Sequence, residues 1–186
     1  MTTRVVVLVE GASDAVVVRT LCPAYGVDPA AVDVRDMGGV TNLAHHLRAL
    51  DGTHRVLGLY DAPEERVVLR ALQRAGHDVT ERAGIERLGF RVCDRDLEEE
   101  LIRALGPAAV EEALVAMGDL ERFRAFQRQP QWRGRALADQ LHRFAGTASG
   151  RKLLLATHLA RLLTAETTPA PLAGLLADTQ RTVGVR

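Results

Sequence analysis

The sequence has little cysteine: only Cys22 and Cys93 occur in its 186 residues. Both lie among apolar residues without metal-type spacing, which predicts buried thiols rather than metal ligands or a disulfide. The sequence also lacks any apolar run near the roughly 20 residues that span a bilayer, and its first residues lack a signal-peptide pattern. With 47% apolar and 26% charged residues, the composition is ordinary for a globular protein. We therefore predict a cytoplasmic protein without a membrane partner.

Lysine is almost absent. Of the 24 basic residues, 23 are arginine, and Lys152 is the single lysine. An ammonium group is a compact point charge on a flexible stem, whereas a guanidinium group is a broad planar fork. Lys152 is therefore a candidate for chemistry, and chance retention of one lysine is the alternative.

The chain has no net charge, but the charges are unevenly distributed. Residues 120–161 contain nine basic residues against two acidic ones, a local excess of seven. Such a segment suits the binding of a polyanion such as DNA, although solvated helix faces would give the same pattern. Phe126 and Trp132 lie in the segment and are candidates for base stacking or for packing. The candidate nucleic-acid-binding residues are Arg122, Arg124, Arg128, Arg133, Arg135, Arg143 and Arg151.

A phosphate-binding loop for ATP is also missing. Residues 146–153 resemble one superficially, but the glycine spacing is one residue short and Leu153 stands where serine or threonine is required. The segment also follows a predicted helix rather than a strand. We therefore predict that this chain has no ATP site.

Several predicted strands end in a carboxylate. The predicted strands are residues 5–9, 31–37, 55–60 and 89–93. The first is five consecutive apolar residues, four of them β-branched, which is typical of a strand buried on both faces of a parallel sheet. Glu10 follows the first strand, Asp61 follows the third, and the acidic group from Asp94 to Glu98 follows the fourth. Because the carboxyl ends of parallel strands meet at one edge, we expect these acids to converge.

Helical patterns separate and follow the strands. We predict an α/β, Rossmann-like fold: a mostly parallel sheet of about four strands, flanked by helices, with a helical extension at the carboxyl end. The expected division is 1–106 for the α/β part and 107–186 for the extension, packed as one unit. Ser13 is predicted to cap the first helix. The predicted helices are residues 15–21, 43–50, 63–75, 108–117, 120–127, 135–144, 151–163 and 172–179.

Clustered carboxylates repel one another unless a cation neutralises them. A hard divalent ion such as Mg²⁺ or Mn²⁺ prefers oxygen ligands and is the economical neutraliser. The sequence therefore predicts a metal site at the carboxyl edge of the sheet. For Glu10 and Asp14 alone, a solvated strand end and a favourable helix start are an equal alternative.

Five short segments follow one another in a recognisable order. They are Leu8-Val9-Glu10-Gly11 with Asp14, Gly38-Gly39-Val40-Thr41-Asn42, Asp61, Asp96-Leu97-Glu98 with Leu101, and Lys152 at the head of a late helix. This ordered set resembles the Toprim domain in the variant carried by the OLD (overcoming lysogenization defect) family of nucleases. The resemblance covers about residues 4–163.

The resemblance implies a two-metal nuclease that hydrolyses phosphodiester bonds of DNA, with RNA as the other possible substrate. It implies that Glu10 and Asp61 hold one Mg²⁺ or Mn²⁺ ion and that Lys152 lies beside the scissile phosphate. Glu10 and Lys152 are then the catalytic residues. Glu64 and Asp94 are spare carboxylates that would support or replace a ligand. The implied ligands of the other ion are Asp14, Asp96 and Glu98.

The sequence departs from the family pattern in two respects. The central motif of the family has acids two positions apart, and here Pro63 takes the second position, which leaves a ligand missing. Glu64 or Glu65 would substitute; alternatively, the site is weakened and the chain is a binding module for nucleic acid or protein. Family members also carry an ATPase module, which we do not find in this chain. We expect it to act alone, as a homodimer or with a separate ATPase subunit.

Overall fold

The computed structural model describes residues 4–50, 52, 54–148 and 150–184, and its centre is a parallel sheet. The strands are β1 (Arg4–Val9), β2 (Val32–Asp36), β3 (His54–Asp61) and β4 (Phe90–Cys93). They are arranged in the order β2-β1-β3-β4, and every pair is parallel. The predicted α/β class and parallel sheet of four strands are confirmed.

The position of β1 inside the sheet explains why its sequence is apolar throughout. Its side chains alternate between the two faces of the sheet, as the pleat requires. Val5, Val7 and Val9 pack into one hydrophobic cluster, and Val6 and Leu8 pack into the other. Since both faces are covered, no position of this strand can be polar without a buried partner.

Helices cover both faces of the sheet. The helices are α1 (Ala12–Leu21), α2 (Leu43–Ala49), α3 (Glu65–Arg74), α4 (Arg82–Arg87), α5 (Leu97–Ala116), α6 (Leu120–Gln127), α7 (Leu137–Ala145), α8 (Arg151–Leu162) and α9 (Ala170–Gly184). α2, α3 and α4 pack on one face, and α1 packs on the other face with α5 to α9. The layers are therefore helix, sheet and helix.

The first helix begins earlier than predicted and is capped differently. Gly11 is its N-cap, and the backbone N–H of Gly11 donates to Asp14 Oδ2 over 2.9 Å. Ser13 is buried and makes no capping bond, so its predicted capping role is wrong. Asp14, at the third helical position, instead reaches back to the backbone N–H of the N-cap residue, which is the acidic half of a capping box.

Two further helices differ from the prediction. α4 was not predicted; it is six residues long and contains Gly84, too short for a 3.6-residue period to emerge. α5 starts at Leu97, eleven residues before the predicted start, and it kinks at Gly106 (φ 77°) before Pro107. The predicted boundary between 106 and 107 coincides with this kink, and the division into two parts stays a prediction.

Within the described residues, no helix has the length and apolar character needed to cross a membrane. Ser149, in the segment that superficially resembles a phosphate-binding loop, lies outside the described residues.

Candidate active site

Strand and helix ends bring acidic residues to the carboxyl edge of the sheet. Glu10 directly follows β1, Asp61 is the last residue of β3, and Asp96 is the N-cap of α5 just beyond β4. Asp14 and Glu98 lie in the first turns of α1 and α5, where a negative charge interacts favourably with the helix dipole. We call these five residues the acidic cluster.

The pKa values show that members of the acidic cluster act on one another. Burial raises the pKa of Asp61 to about 8, and the charges of Glu10, Asp14, Asp96 and Glu98 add to the rise. Burial also raises the pKa of Asp14 to about 7, helped by Glu98 and opposed by the hydrogen bond from Gly11. Sequence reasoning had predicted this convergence from strand ends far apart in the chain.

Burial and neighbouring charges also shift the pKa of Glu10. The pKa of Glu10 lies above its ordinary value. Burial is the largest cause of the rise and repulsion from Glu64 is the next, while the nearby Lys152 lowers the pKa. Since Glu64 lies in the turn Ala62–Glu64 after β3, a sixth carboxylate faces the cluster from the position next to Pro63.

Lys152 and Glu98 form an ion pair at the mouth of the cluster. Lys152 Nζ lies 3.0 Å from Glu98 Oε2; the lysine side chain is 52% exposed and that of Glu98 is 6% exposed. Burial lowers the pKa of Lys152, but attraction from Glu98, Asp14 and Asp96 outweighs burial and raises it overall. The ammonium group is therefore charged at neutral pH and accessible to an incoming anion.

The buried carboxylate of Glu98 is only half satisfied. Its Oε1 atom has no hydrogen-bond partner among the described residues. An unpartnered buried carboxylate oxygen costs free energy unless a donor or a cation reaches it. Glu98 Oε1 is therefore the atom whose surroundings best fit a bound cation.

A histidine that sequence reasoning missed holds Asp96. His142 Nε2, on α7, lies 2.5 Å from Asp96 Oδ2, while Asp96 Oδ1 accepts the backbone N–H of Glu99 over 2.9 Å. Forty-six positions separate the two side chains in sequence, and α7 has an ordinary amphipathic pattern. No local motif could therefore have identified this pair.

The glycine pair lies against the end of β1. The backbone N–H of Gly39 donates to the carbonyl oxygen of Glu10 over 2.9 Å, and that of Met37 donates to Val9 over 2.9 Å. Gly39 has φ 112° and ψ 145°, a conformation that only glycine adopts readily. The segment therefore fixes the backbone of Glu10 rather than forming a separate phosphate loop.

The acidic cluster suits a hard divalent cation by its chemistry. All its ligand atoms are carboxylate oxygens, the donors that Mg²⁺ and Mn²⁺ prefer. No three histidine, cysteine, aspartate or glutamate side chains within the described ranges stand close enough together to form a ready ligand set.

The remaining predicted carboxylates differ in their surroundings. Asp94 has an 82% exposed side chain, 3.8 Å from Arg103, and the largest contributions to the raised pKa values of Glu10, Asp14 and Asp61 come from burial and from other carboxylates. Glu65 is paired with Arg82 at 2.5 Å. Of the three acids near the predicted ligands, only Glu64 faces the cluster.

Three of the predicted DNA-binding arginines are already paired. Arg122 and Arg151 both contact Asp119, at 2.6 Å and 2.7 Å, and Arg124 contacts Glu111 at 2.7 Å. The Arg151 side chain is only 10% exposed. Its guanidinium carbon lies 4.0 Å from the ring centroid of Phe144. Arg151 therefore stabilises the helical layer.

The other predicted arginines are exposed. Arg133 donates from Nε to the backbone oxygen of Arg128 over 2.8 Å. The side chains of Arg128, Arg135 and Arg143 are exposed and have no hydrogen-bond or ion-pair partner within the described part of the chain. These four residues carry charge that faces solvent.

The two aromatic candidates for base stacking pack on each other. Phe126 is 7% exposed, and its ring stacks on Trp132 with 4.9 Å between centroids. Trp132 is half-buried and, with Arg143, lines a surface cavity of about 650 Å³. Phe126 is therefore a packing residue, and of the two aromatic side chains only Trp132 is accessible for base stacking.

Comparison with known proteins gives a likeness in fold. No family model and no curated protein matches the sequence. The solved C-terminal region of the Burkholderia pseudomallei OLD protein matches with a TM-score of 0.69 and 21% identity, covering 98% of this chain and 100% of that one. The C-terminal region of the Xanthomonas campestris pv. campestris OLD protein matches with a TM-score of 0.72 and 20% identity, covering 98% and 97%. The likeness confirms the predicted α/β fold, which this chain shares with the C-terminal regions of OLD proteins.

Proposed function

We propose, from the fold that the chain shares with the C-terminal regions of OLD proteins, that it is a metal-dependent nuclease acting on DNA. The observation that carries the proposal is the acidic cluster with a buried, half-satisfied Glu98 beside the single lysine. Buried acids with raised pKa values beside a specific charged partner are typical of functional sites. RNA is the alternative substrate, and a cytoplasmic location goes with the proposal.

Two divalent ions would be shared among the carboxylates of the acidic cluster. Glu10 and Asp61 would hold one Mg²⁺ or Mn²⁺ ion, and Asp14, Asp96 and Glu98 would hold the other. When bound, such ions supply Lewis acidity, which lowers the pKa of water and neutralises charge on a phosphodiester. The raised pKa values of Asp14 and Asp61 support this assignment, because both acids are buried and are repelled by neighbouring carboxylates that a cation would neutralise.

The protein's own side chains would position the substrate and the carboxylates. The Lys152 ammonium, held beside Glu98, would donate to a phosphoryl oxygen as charge develops there. His142 would keep Asp96 in one orientation, as outer partners of metal ligands generally do. Glu64 would supply the carboxylate that Pro63 removes, since it is the acid after β3 that acts on Glu10.

The DNA backbone would run over the helical layer beside Lys152. Arg128, Arg133, Arg135 and Arg143 face solvent and would make phosphate contacts without reading sequence. Arg122 and Arg124 keep partly exposed guanidinium groups and would contribute at the margin. A second copy of the chain or a separate ATPase subunit would complete the assembly.

Cleavage of supercoiled plasmid tests the proposal. With Mg²⁺ or Mn²⁺, the wild-type protein is expected to nick or linearise the plasmid, and EDTA is expected to stop the reaction. Glu10→Ala and Lys152→Met should each lose cleavage by about 100-fold or more, the usual effect of removing an electrostatic group from such a site. The matched control is Arg161→Met, which removes an exposed cation from the same helix α8.

Measurements of metal binding distinguish the role of Glu10 from that of Lys152. Glu10→Ala should weaken Mn²⁺ binding in calorimetry, whereas Lys152→Met should bind Mn²⁺ at least as tightly as wild type because it removes a repelling cation. A plasmid left intact by the wild-type protein under every metal and salt condition would refute the nuclease proposal. Cleavage by both variants at the wild-type rate would refute the site assignment.

Pro63 favours one alternative function. It leaves no carboxylate at the second position of the central motif, so the chain would then be a non-catalytic module that binds nucleic acid or a protein. Duplex binding in EDTA together with an intact plasmid would support this alternative. Restored plasmid cleavage in Pro63→Asp would identify Pro63 as the cause of the lost activity.

A further inference from the structure

A charged cleft lies at the amino edge of the sheet, far from the acidic cluster. It encloses about 720 Å³. α4, on one face of the sheet, and α9, on the other, form its walls around the starts of β3 and β4. Arg55 is the second residue of β3 and Asp61 is its last, so roughly 20 Å of strand separates the two sites. The charged lining residues are Arg55, Glu86, Arg87, Arg91, Asp178 and Arg181.

The charges in the cleft do not balance. Four arginines face two carboxylates, a formal excess of two positive charges. Asp178 Oδ2 accepts Nε of Arg91 over 2.9 Å and Asp178 Oδ1 accepts Nη2 of Arg181, so these two guanidinium groups are held. Arg55 and Arg87 are exposed, and neither has a hydrogen-bond or ion-pair partner among the residues that the structure describes.

One glycine lines the cleft, and a second allows an ion pair beside it. Gly89 has φ +93°, and a Cβ atom there would lie 2.4 Å from Leu57 Cδ2 and 3.6 Å from Arg55 Nη2. A side chain at this position would therefore fill the floor beside Arg55. A Cβ at Gly174, on α9, would lie 3.3 Å from Arg91 Nε, so this glycine lets Arg91 reach Asp178. The backbone keeps the space open where the unpaired guanidinium groups stand.

We propose that this cleft is a phosphate-binding site in which Arg55 and Arg87 bind the anion. The planar guanidinium fork matches phosphate oxygens in bidentate geometry, and unpaired arginines bind without first breaking an ion pair. The phosphate comes either from the DNA backbone or from a free phosphate compound, because both present the same oxygens. The proposal does not depend on the nuclease reaction, which belongs to the opposite edge of the sheet.

Binding in EDTA tests this site without involving metal at the acidic cluster. Calorimetry uses inorganic pyrophosphate, and fluorescence anisotropy uses a labelled DNA duplex between about 50 and 200 mM salt. The test variant is Arg55→Ala/Arg87→Ala. The matched control is Arg66→Ala/Arg70→Ala, which removes two cations of α3 that lie outside the cleft. Thermal melting of each variant establishes that it is folded.

The two probes distinguish the sources of phosphate. A free phosphate ligand predicts a loss of pyrophosphate affinity of about tenfold or more in the test variant, with unchanged duplex binding. A DNA backbone ligand predicts weaker duplex binding and a salt slope smaller by about two in the test variant. Unchanged binding of both probes overturns the proposal, as does an equal loss in the control variant. Plasmid cleavage stays a separate readout, so failure here leaves the nuclease proposal standing.

Discussion

Glu98 is a buried residue whose carboxylate is only partly satisfied by the fold. Its side chain is 6% exposed, one oxygen pairs with Lys152, and the other has no partner among the described residues. The charge of Glu98 also contributes to the raised pKa of Asp14. Without a bound cation, this carboxylate repels the neighbouring carboxylates and contributes little to the stability of the fold.

The substitution Glu98→Gln should therefore separate stability from metal binding. It removes a buried charge while keeping the shape, so we expect the melting temperature in EDTA to stay level or rise. Mn²⁺ affinity should fall by about tenfold or more, because an amide oxygen is a weaker ligand than a carboxylate. Thermal melting and calorimetry measure the two quantities.

Glu99→Gln is the control for this prediction. Glu99 is the adjacent residue on α5 and pairs with Arg95 at 3.2 Å, with its side chain 31% exposed. A surface pair of this kind contributes little, so melting temperature and Mn²⁺ affinity should match wild type. If Glu98→Gln retains full Mn²⁺ affinity, Glu98 is not a ligand.

Among the larger elements, the turn after β2 determines the position of Glu10. Gly39 adopts φ 112° and ψ 145° while its N–H donates to the carbonyl of Glu10. Gly39→Ala should cost about 1 to 3 kcal/mol of unfolding free energy, because alanine is strained in this conformation. Relaxation of the strain should also displace Glu10 and reduce Mn²⁺ affinity. Chemical denaturation and calorimetry measure these effects.

Gly146→Ala provides the comparison for the turn. Gly146 follows α7 and has φ −81°, a conformation that alanine adopts without strain. The unfolding free energy of Gly146→Ala should therefore stay within about 0.5 kcal/mol of wild type. Equal losses in both variants would indicate a general sensitivity to glycine replacement and would contradict the specific role of Gly39.

The elements that carry the site were predictable because their signals are local. A run of buried β-branched residues defines β1, and a carboxylate directly after a strand is visible in the sequence at Glu10 and Asp61. The pair of Asp96 and His142 was not predictable, because tertiary packing of α7 on α5 creates it. The cleft at Arg55 was not predictable either, since four separate elements, β3, β4, α4 and α9, assemble it.

Over the whole molecule, the sheet separates two kinds of electrostatic site. Its carboxyl edge concentrates acids with raised pKa values, and its amino edge holds the cleft with unpaired arginines. A neutral overall charge therefore conceals two strongly charged regions. If both proposals hold, such a separation would attract cations and phosphate groups to different surfaces.

The acidic cluster makes the stability of the whole fold depend on pH. Asp14 and Asp61 have an ordinary pKa of 3.8, and in the fold their pKa values rise to about 7 and about 8. The folded state therefore binds protons more tightly than the unfolded state. Linkage requires that the free energy of unfolding fall as pH rises from about 4 to about 8.

In EDTA, we expect the melting temperature to be lower at pH 8 than at pH 5, by roughly 5 °C or more. Mn²⁺ should raise it more at pH 8 than at pH 5, because the ion and protons compete for the same oxygens. Asp61→Asn should flatten the pH dependence, whereas Asp139→Asn, which changes a 55% exposed acid on α7, should leave it intact. A melting temperature in EDTA that rises between pH 5 and pH 8 would show that these carboxylates are already compensated in the fold.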